Sequence, residues 1–255
     1  MQIKSYAKAN LILKIYPRNK QEIKHKIKSL FILDKSLFDL ISIKPSKKDT
    51  VIYKNKNKTF VLNDCLIVKS LKYLKNEFNI AKHYSIKVEK NINIMSGLGG
   101  GSSNAATVIK YVMKDNKISL TKLNLKDVAL KLGSDIPFFL FSYNSAIVSD
   151  YGNKVEKFNS SKKISYKIHT NNIKISTKEV FKQLEKTKPY KSQVNFSKCL
   201  DSLLNKTFNN HYVYNDLHPY ILKVSDKKLL QNINKISSKN KIICGSGGTI
   251  LTIHE

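Results

Sequence analysis

The sequence predicts an α+β protein. Three observations carry that reading: period-two apolar runs that fit half-buried strands, apolar stripes at helical spacing, and glycine-rich turns that join one kind of element to the other. A chain of 255 residues has room for one large domain or two modest ones. Its texture changes after Tyr151-Gly152-Asn153, which places the expected boundary near residue 155 and divides the chain into 1–155 and 156–255. Hydrophobic residues make up 41%, enough for a packed globular core.

From Ala7 to Ile15 the odd positions are apolar and the even ones carry Lys8, Asn10 and Lys14, so a strand with one buried face is expected. Phe38 to Lys44 reads as a second strand. Val51 to Leu62 reads as a hairpin folded around Lys54-Asn55-Lys56-Asn57-Lys58. Leu66 to Phe78 has helical spacing, and Tyr84 to Glu89 alternates again. A glycine loop, Gly97 to Ser103, then feeds a helix whose Ala105, Val108, Ile109 and Val112 form one apolar stripe, with Ser103 or Asn104 as the expected cap. Leu125 to Leu132 reads as a helix closed by Gly133. Ile136 to Phe141 is an apolar strand or short helix. In the second half, strands are expected over Ile164 to His169, Lys241 to Cys244 and Thr249 to Ile253. Helices are expected near Thr177 to Lys186 and Asp226 to Ile236.

Composition excludes several classes. No apolar run approaches the ~18 residues of a membrane span. The N-terminus leads into a strand pattern without the marks of a signal peptide, so a cytoplasmic protein is expected. Three cysteines, Cys65, Cys199 and Cys244, stand far apart and form neither a disulfide framework nor a zinc motif. The net charge is +28, from 46 basic against 18 acidic residues. The basic residues are almost all lysine and are spread along the chain. With Lys, Asn and Ile abundant and Trp absent, an A- and T-rich genome accounts for most of the excess. The field still attracts anions. No stripe of Arg and aromatic residues marks a nucleic-acid face.

The chemistry concentrates in four places. The chain has nine glycines, and four of them stand at 97, 99, 100 and 101, within five positions. Glycine lets main-chain N–H groups converge, Ser102 and Ser103 add hydroxyls, and the helix that follows aims its positive end at the same point. This is an anion cradle, though neither a P-loop nor a Rossmann fingerprint. Asp135 fits two roles, cap of a short helix with Pro137 in its first turn or catalytic base. Lys8 on pattern alone is a solvated lysine of a strand's polar face, and His25 a lone histidine. Gly245-Ser246-Gly247-Gly248 is either a tight turn or a second wall of the phosphate pocket.

Ser5-Tyr6-Ala7-Lys8-Ala9-Asn10-Leu11, the loop from Ile92 to Ala106, Gly133-Ser134-Asp135-Ile136-Pro137-Phe138 and Gly245-Ser246-Gly247-Gly248 together resemble the GHMP kinase superfamily, along nearly the whole chain. His25 ahead of Ser29-Leu30-Phe31, Leu66-Ile67-Val68 and Asn215-Asp216-Leu217 favour its branch acting on a cytidine diphosphate-linked methylerythritol. The resemblance implies two α+β domains with the active site in the cleft between them, and ATP and magnesium as cofactors. It implies transfer of the γ-phosphoryl of ATP to the 2-hydroxyl of that substrate in non-mevalonate isoprenoid synthesis. Asp135 would be the base, and Lys8 would hold Asp135 and the hydroxyl in register. Lys90, Ser96, Gly97, Leu98, Gly99, Gly100, Gly101, Ser102 and Ser103 would face the nucleotide. Asn10, His25, Phe181, Gly245 and Ser246 would face the substrate, with His25 and Phe181 at the cytosine. The partners implied are these small molecules, without specific nucleic acid or membrane, in a monomer or weak homodimer.

The chain departs from the family pattern at several positions. Lys24 stands where an aromatic usually stacks on cytosine, Cys65 replaces an asparagine near the adenine, and Asn93 replaces a proline. The chain also stops at Glu255, short of a further helix and strand. A working enzyme with weaker substrate binding is expected. Homoserine or mevalonate kinases of the same superfamily, and a basic nucleic-acid-binding protein, are the rival readings.

Overall fold

The structure is a computed structural model that describes residues 2–55, 58–187, 189–225 and 227–254. The first half runs β1 (Gln2–Ile15), β2 (Ile27–Ser46), β3 (Thr50–Asn55), β4 (Lys58–Val61), α1 (Leu66–Phe78), β5 (His83–Glu89), α2 (Gly100–Asp115), α3 (Leu125–Asp127), α4 (Ile136–Leu140), β6 (Ser145–Asp150) and β7 (Lys154–Lys157). The second half runs β8 (Ser165–His169), α5 (Thr177–Glu185), α6 (Phe196–Leu204), α7 (His218–Val224), α8 (Lys227–Lys235), β9 (Lys241–Ile243) and β10 (Ile250–His254). Helices and sheets together make the α+β fold that the alternating patterns predict.

Strands β1 to β7 form one sheet in the order β4-β3-β5-β2-β6-β7, with β1 lying antiparallel to β2 off that path. The pairing of β3 with β5 is parallel. The remaining strands form a small sheet, β8-β10-β9. Helices α1, α2 and α4 cover the large sheet, and Ile67, Leu71, Ala105, Val108, Ile109, Phe138, Ile41 and Ile86 share that core. The arms of the expected hairpin pair from Ile52 with Val61 to Asn55 with Lys58; its tip, Lys56 and Asn57, lies outside the described residues. Asp226, the expected start of the last helix, lies outside them too.

Strand β1 departs from its expected pattern. Every residue from Ala7 to Leu13 is buried, on both faces. One face packs with Leu30 and, from the second half, with Cys199, Ile242 and Leu251 in a core that joins the halves. The other face turns Lys8 and Asn10 into the interior, so Lys8 is not a solvated lysine: it is only 2% exposed.

Three local readings also change. Helix α2 starts at Gly100 with Gly99 as its cap residue at φ 70°, so Ser103 and Asn104 lie inside the first turn and cap nothing. The Ser103 amide already donates to the Gly99 carbonyl at 2.8 Å. The helix at Leu125 widens into a π-turn over Val128–Leu132. Gly133 ends it at φ 171°, an extended conformation open to any residue, with its amide donating to Val128 five residues back. Two helices escaped the pattern reading, α6 and α7. The signal for α6 was present: Asn195 caps it through its side chain, and Phe196, Cys199 and Leu203 are buried at i, i+3 and i+7. Among the described residues no helix is long and apolar enough to cross a membrane.

Candidate active site

The glycine loop forms because two segments distant in sequence meet main chain to main chain. Gly97 sits at φ 87°, and a Cβ there would lie 2.3 Å from the Cys244 carbonyl oxygen. A Cβ on Gly247 would lie 2.0 Å from the Ser96 carbonyl carbon. The Gly245-to-Gly248 segment is the tight turn the sequence allowed, with the Gly247 amide donating to Cys244 at 3.2 Å, and it packs against the glycine loop, with the Thr249 amide donating to Ser96 at 3.2 Å.

A carboxylate missed by the sequence reading anchors the other side of the loop. Asp39 is fully buried and accepts four hydrogen bonds: from Lys90 Nζ at 2.5 Å, from the amides of Asn91 and Ile92 at 2.7 and 2.9 Å, and from Asn104 Nδ2 at 2.9 Å. Those donors come from both stems of the loop, so one acid fixes where it begins and where the helix takes over. A carboxylate has about four lone-pair sites, and here all are used. The signal was an aspartate inside the apolar run Leu37-Phe38-Asp39-Leu40-Ile41. Lys90 is corrected accordingly. Expected to face the nucleotide, it is buried and paired with Asp39 instead.

At the loop's mouth stands Lys8. Its ammonium donates to Asn10 Oδ1 and to the Gly97 carbonyl at 3.1 Å, and it pairs with Asp135 Oδ2 at 3.3 Å. Three N–H groups meet three acceptors, so the charge is held in one position. The Phe31 ring lies 4.7 Å below it, and the stem packs where a Cβ on Gly99 would collide at 3.0 Å. Asn10 is held on both sides: its Nδ2 donates one hydrogen to Ser29 Oγ at 3.0 Å while its Oδ1 accepts from Lys8. Its side-chain amide therefore orients Lys8.

Asp135 occupies the cap position of α4 with Pro137 in the first turn, yet its carboxylate makes no capping bond. It is the half-buried partner of Lys8, its side chain 29% exposed. Of the two roles open from sequence, capping is thus removed. The peptide before it is fixed from behind by Gly152, at φ 97°, where a Cβ would fall 2.0 Å from the Ser134 carbonyl oxygen. Gly245, at φ 58°, faces the same pair: a Cβ there would come within 3.0 Å of Asn10 Oδ1 and 3.5 Å of Lys8 Nζ. Cys244, just behind, receives the Asn10 amide hydrogen bond at 3.2 Å, and burial pushes its thiol pKa up.

The remaining expected residues divide. Ser96 is buried, with a hydroxyl that finds no partner among the described residues; Leu98 is core. Gly100 starts α2, packed so closely that a Cβ would reach Ile92 at 2.9 Å, whereas Gly101 and Ser102 remain open. Ser103 is buried and accepts from Ser5 Oγ at 2.7 Å. His25 and Phe181 do come together, ring centroids 5.7 Å apart, with Tyr190 edge-on to the histidine. His25 Nδ1 is fixed by the Tyr16 carbonyl at 2.9 Å, and its buried Nε2 has no hydrogen-bond partner among the described residues. Ser246 Oγ meets Thr177 Oγ1 at 2.7 Å, which ties the C-terminal glycine turn to the helix that carries Phe181. Lys24 points away, donating to the Ala129 carbonyl at 2.9 Å, and burial lowers its pKa.

Comparisons with known proteins agree on one family. Residues 65–143 match the family model described as GHMP kinases N terminal domain. A 4-diphosphocytidyl-2-C-methyl-D-erythritol kinase of Ureaplasma parvum serovar 3 is 34% identical over 99% of this chain and 95% of its own. One of Clostridium beijerinckii is 29% identical over 100% of this chain and 91% of its own. Among solved structures, a 4-(cytidine 5'-diphospho)-2C-methyl-D-erythritol kinase superposes with a TM-score of 0.71 at 20% identity, covering 100% of this chain and 90% of its own. A homoserine kinase from Cytophaga hutchinsonii shares the fold at TM-score 0.59 and 15% identity, over 99% of this chain and 85% of its own.

Proposed function

This chain belongs to the family of 4-diphosphocytidyl-2-C-methyl-D-erythritol kinases, and from that premise we propose that Asp135 is the base of the transfer, oriented by Lys8. The protein is a kinase of that substrate, and the homoserine and mevalonate readings are not favoured, since the relatives matched along nearly the whole chain are 4-diphosphocytidyl-2-C-methyl-D-erythritol kinases. The observation that carries the assignment is the ion pair of 3.3 Å between Lys8 and Asp135 beside the Gly97 carbonyl.

Phosphoryl transfer asks the protein chiefly for position and for charge compensation. The open amides around Gly99 to Ser102 and the start of α2 receive the terminal phosphates of ATP. The substrate's 2-hydroxyl lies against Asp135. Its oxygen forms the new bond to the γ-phosphorus, the bond to the β-phosphate oxygen breaks, and the hydroxyl proton passes to the carboxylate. Lys8 keeps that carboxylate in place, and Asn10 keeps Lys8 in place. His25, whose Nε2 makes no hydrogen bond among the described residues and lies 3.8 Å from Glu185 Oε1, receives the cytosine beside Phe181 by hydrogen bond and ring contact. Lys90 contributes through Asp39 and not by touching phosphate.

Magnesium fits this site as a companion of the nucleotide. Such an ion takes most of its ligands from phosphate and water. Asp135 and the Ser102 hydroxyl are the protein groups that would hold it, and the chemistry it would supply there is neutralisation of phosphate charge. A cytoplasmic monomer or weak homodimer is the setting in which we place the enzyme.

The test is Asp135→Asn, assayed for ADP release with the diphosphocytidyl substrate and magnesium. A general base contributes roughly 10²–10⁴ in rate, so kcat falls by about that factor while ATP affinity is kept. An unchanged kcat removes Asp135 from the base role.

A further inference from the structure

A second cavity lies on the far flank of α2, outside the loop and the Lys8–Asp135 pair. It has a volume of about 250 Å³, and three lysines open onto it, Lys4, Lys35 and Lys110, with no carboxylate in its lining. In a chain with 46 basic residues, lysines that meet are not surprising. None of the three pairs with a carboxylate among the described residues, a lack that most of the chain's lysines share. What sets the group apart is Lys110, which is largely covered: its ammonium donates to the Phe139 carbonyl at 3.0 Å, with no other partner among the described residues, and burial pushes its pKa down. A cation withdrawn from water without an opposite charge is costly unless something supplies that charge.

The neutral groups around the cavity suit the same missing partner. Ser103 and Thr107 stand one helical turn apart on α2 with Lys110 on the next, so two hydroxyls and an ammonium face one side of the helix. Ser103 accepts from Ser5, which leaves its own hydrogen to donate. The Thr107 hydroxyl has no partner among the described residues. Leu33, Phe139 and Phe141 form an apolar patch of the wall, with Tyr6, Ser142 and Asn144 completing it.

From this lining we infer that the cavity is a binding site for a small molecule that carries a phosphate or diphosphate on a short apolar portion. The charge, the hydroxyl donors and the absence of acids select a polyanion. The aromatic and leucine wall accepts the apolar portion. The volume sits just below the roughly 300–1,000 Å³ of drug-sized pockets, which suits a phosphorylated fragment. Residues 96 to 102 do not line it, so it is distinct from the ATP cradle and shares only Ser103 with the end of the loop.

The probe is inorganic pyrophosphate, titrated calorimetrically into the full chain with the glycine loop saturated by a non-hydrolysable ATP analogue. One molecule is expected to bind. The Lys110→Met and Lys35→Gln variants are expected to weaken it at least tenfold each while the affinity for the ATP analogue stays unchanged, which also reports that both variants are folded. A control, Lys163→Gln, removes an exposed lysine away from the cavity. Absence of pyrophosphate binding once the loop is filled overturns the inference. So does a control that weakens binding as much as the cavity variants, because attraction to the overall positive field then explains it.

Discussion

Alanine at Gly247 tests whether the two glycine segments support one another. The φ of Gly247 is not in the left-handed region, so the backbone tolerates alanine and the effect is purely one of space. The added methyl would lie 2.0 Å from the Ser96 carbonyl carbon, 2.1 Å from the Gly97 nitrogen and 2.2 Å from the Ser96 oxygen. Non-bonded carbons rest at about 3.5 Å or beyond, so the two main chains must part by roughly 1.5 Å. Neither side yields easily. The neighbouring Cys244 amide donates to Thr249 at 2.9 Å, and Asn215 Nδ2 holds the Ile243 and Gly245 carbonyls at 2.7 and 2.8 Å. Overpacking of this kind costs about 1–3 kcal/mol, a tolerable fraction of a stability of roughly 5–15 kcal/mol, so the variant folds. Catalysis suffers more, since a displacement near 1 Å in a positioning element costs on the order of 10²-fold in rate. Urea denaturation and steady-state ADP release measure the two effects. Gly101→Ala is the comparison for stability, because a Cβ there would meet only Leu66 at 3.7 Å. Wild-type stability and kcat in Gly247→Ala would refute the interlock.

Asp39→Asn leaves the Lys90 ammonium buried without its counter-charge, and losing one partner of a buried pair costs about 3–5 kcal/mol. Urea midpoints and ATP affinity should both fall, while the substrate's KM changes less. His25→Ala should raise KM for the cytidine-linked substrate at least tenfold and leave KM for ATP in place; equal changes in both would remove His25 from the cytosine site. His169 has its pKa lowered from 6.5, first by burial and then by Lys167 and His254. The fold therefore prefers its neutral form, and its contribution to stability is complete above pH 6.5 and declines as pH drops through 6.5 towards the folded value. Thermal melts between pH 5 and 8 should show that decline, and His169→Gln should flatten it.

How far the site could be read depended on whether its signal was local. Helix α1 appeared over the same residues, Leu66 to Phe78, that its apolar spacing marks. The glycine loop was visible because its cause, a main chain stripped of side chains ahead of a helix, is written in adjacent residues. Asp39 gave a weaker signal, one acid in an apolar run, and its meaning depends on four donors from elsewhere in the chain. Lys90, which the resemblance sets at the nucleotide, is buried against Asp39, a partner that only the fold brings to it.

By itself, then, the sequence determined the α+β alternation and the glycine loop that leads into a helix, because periodicity and glycine content act through near neighbours. Tertiary structure alone decided that Lys8 is buried, that Asp135 leaves α4 uncapped, and that Gly247 seats on Ser96. Those outcomes turn on which distant segments share a core, and burial on both faces of β1 is settled only when the second half of the chain closes over it.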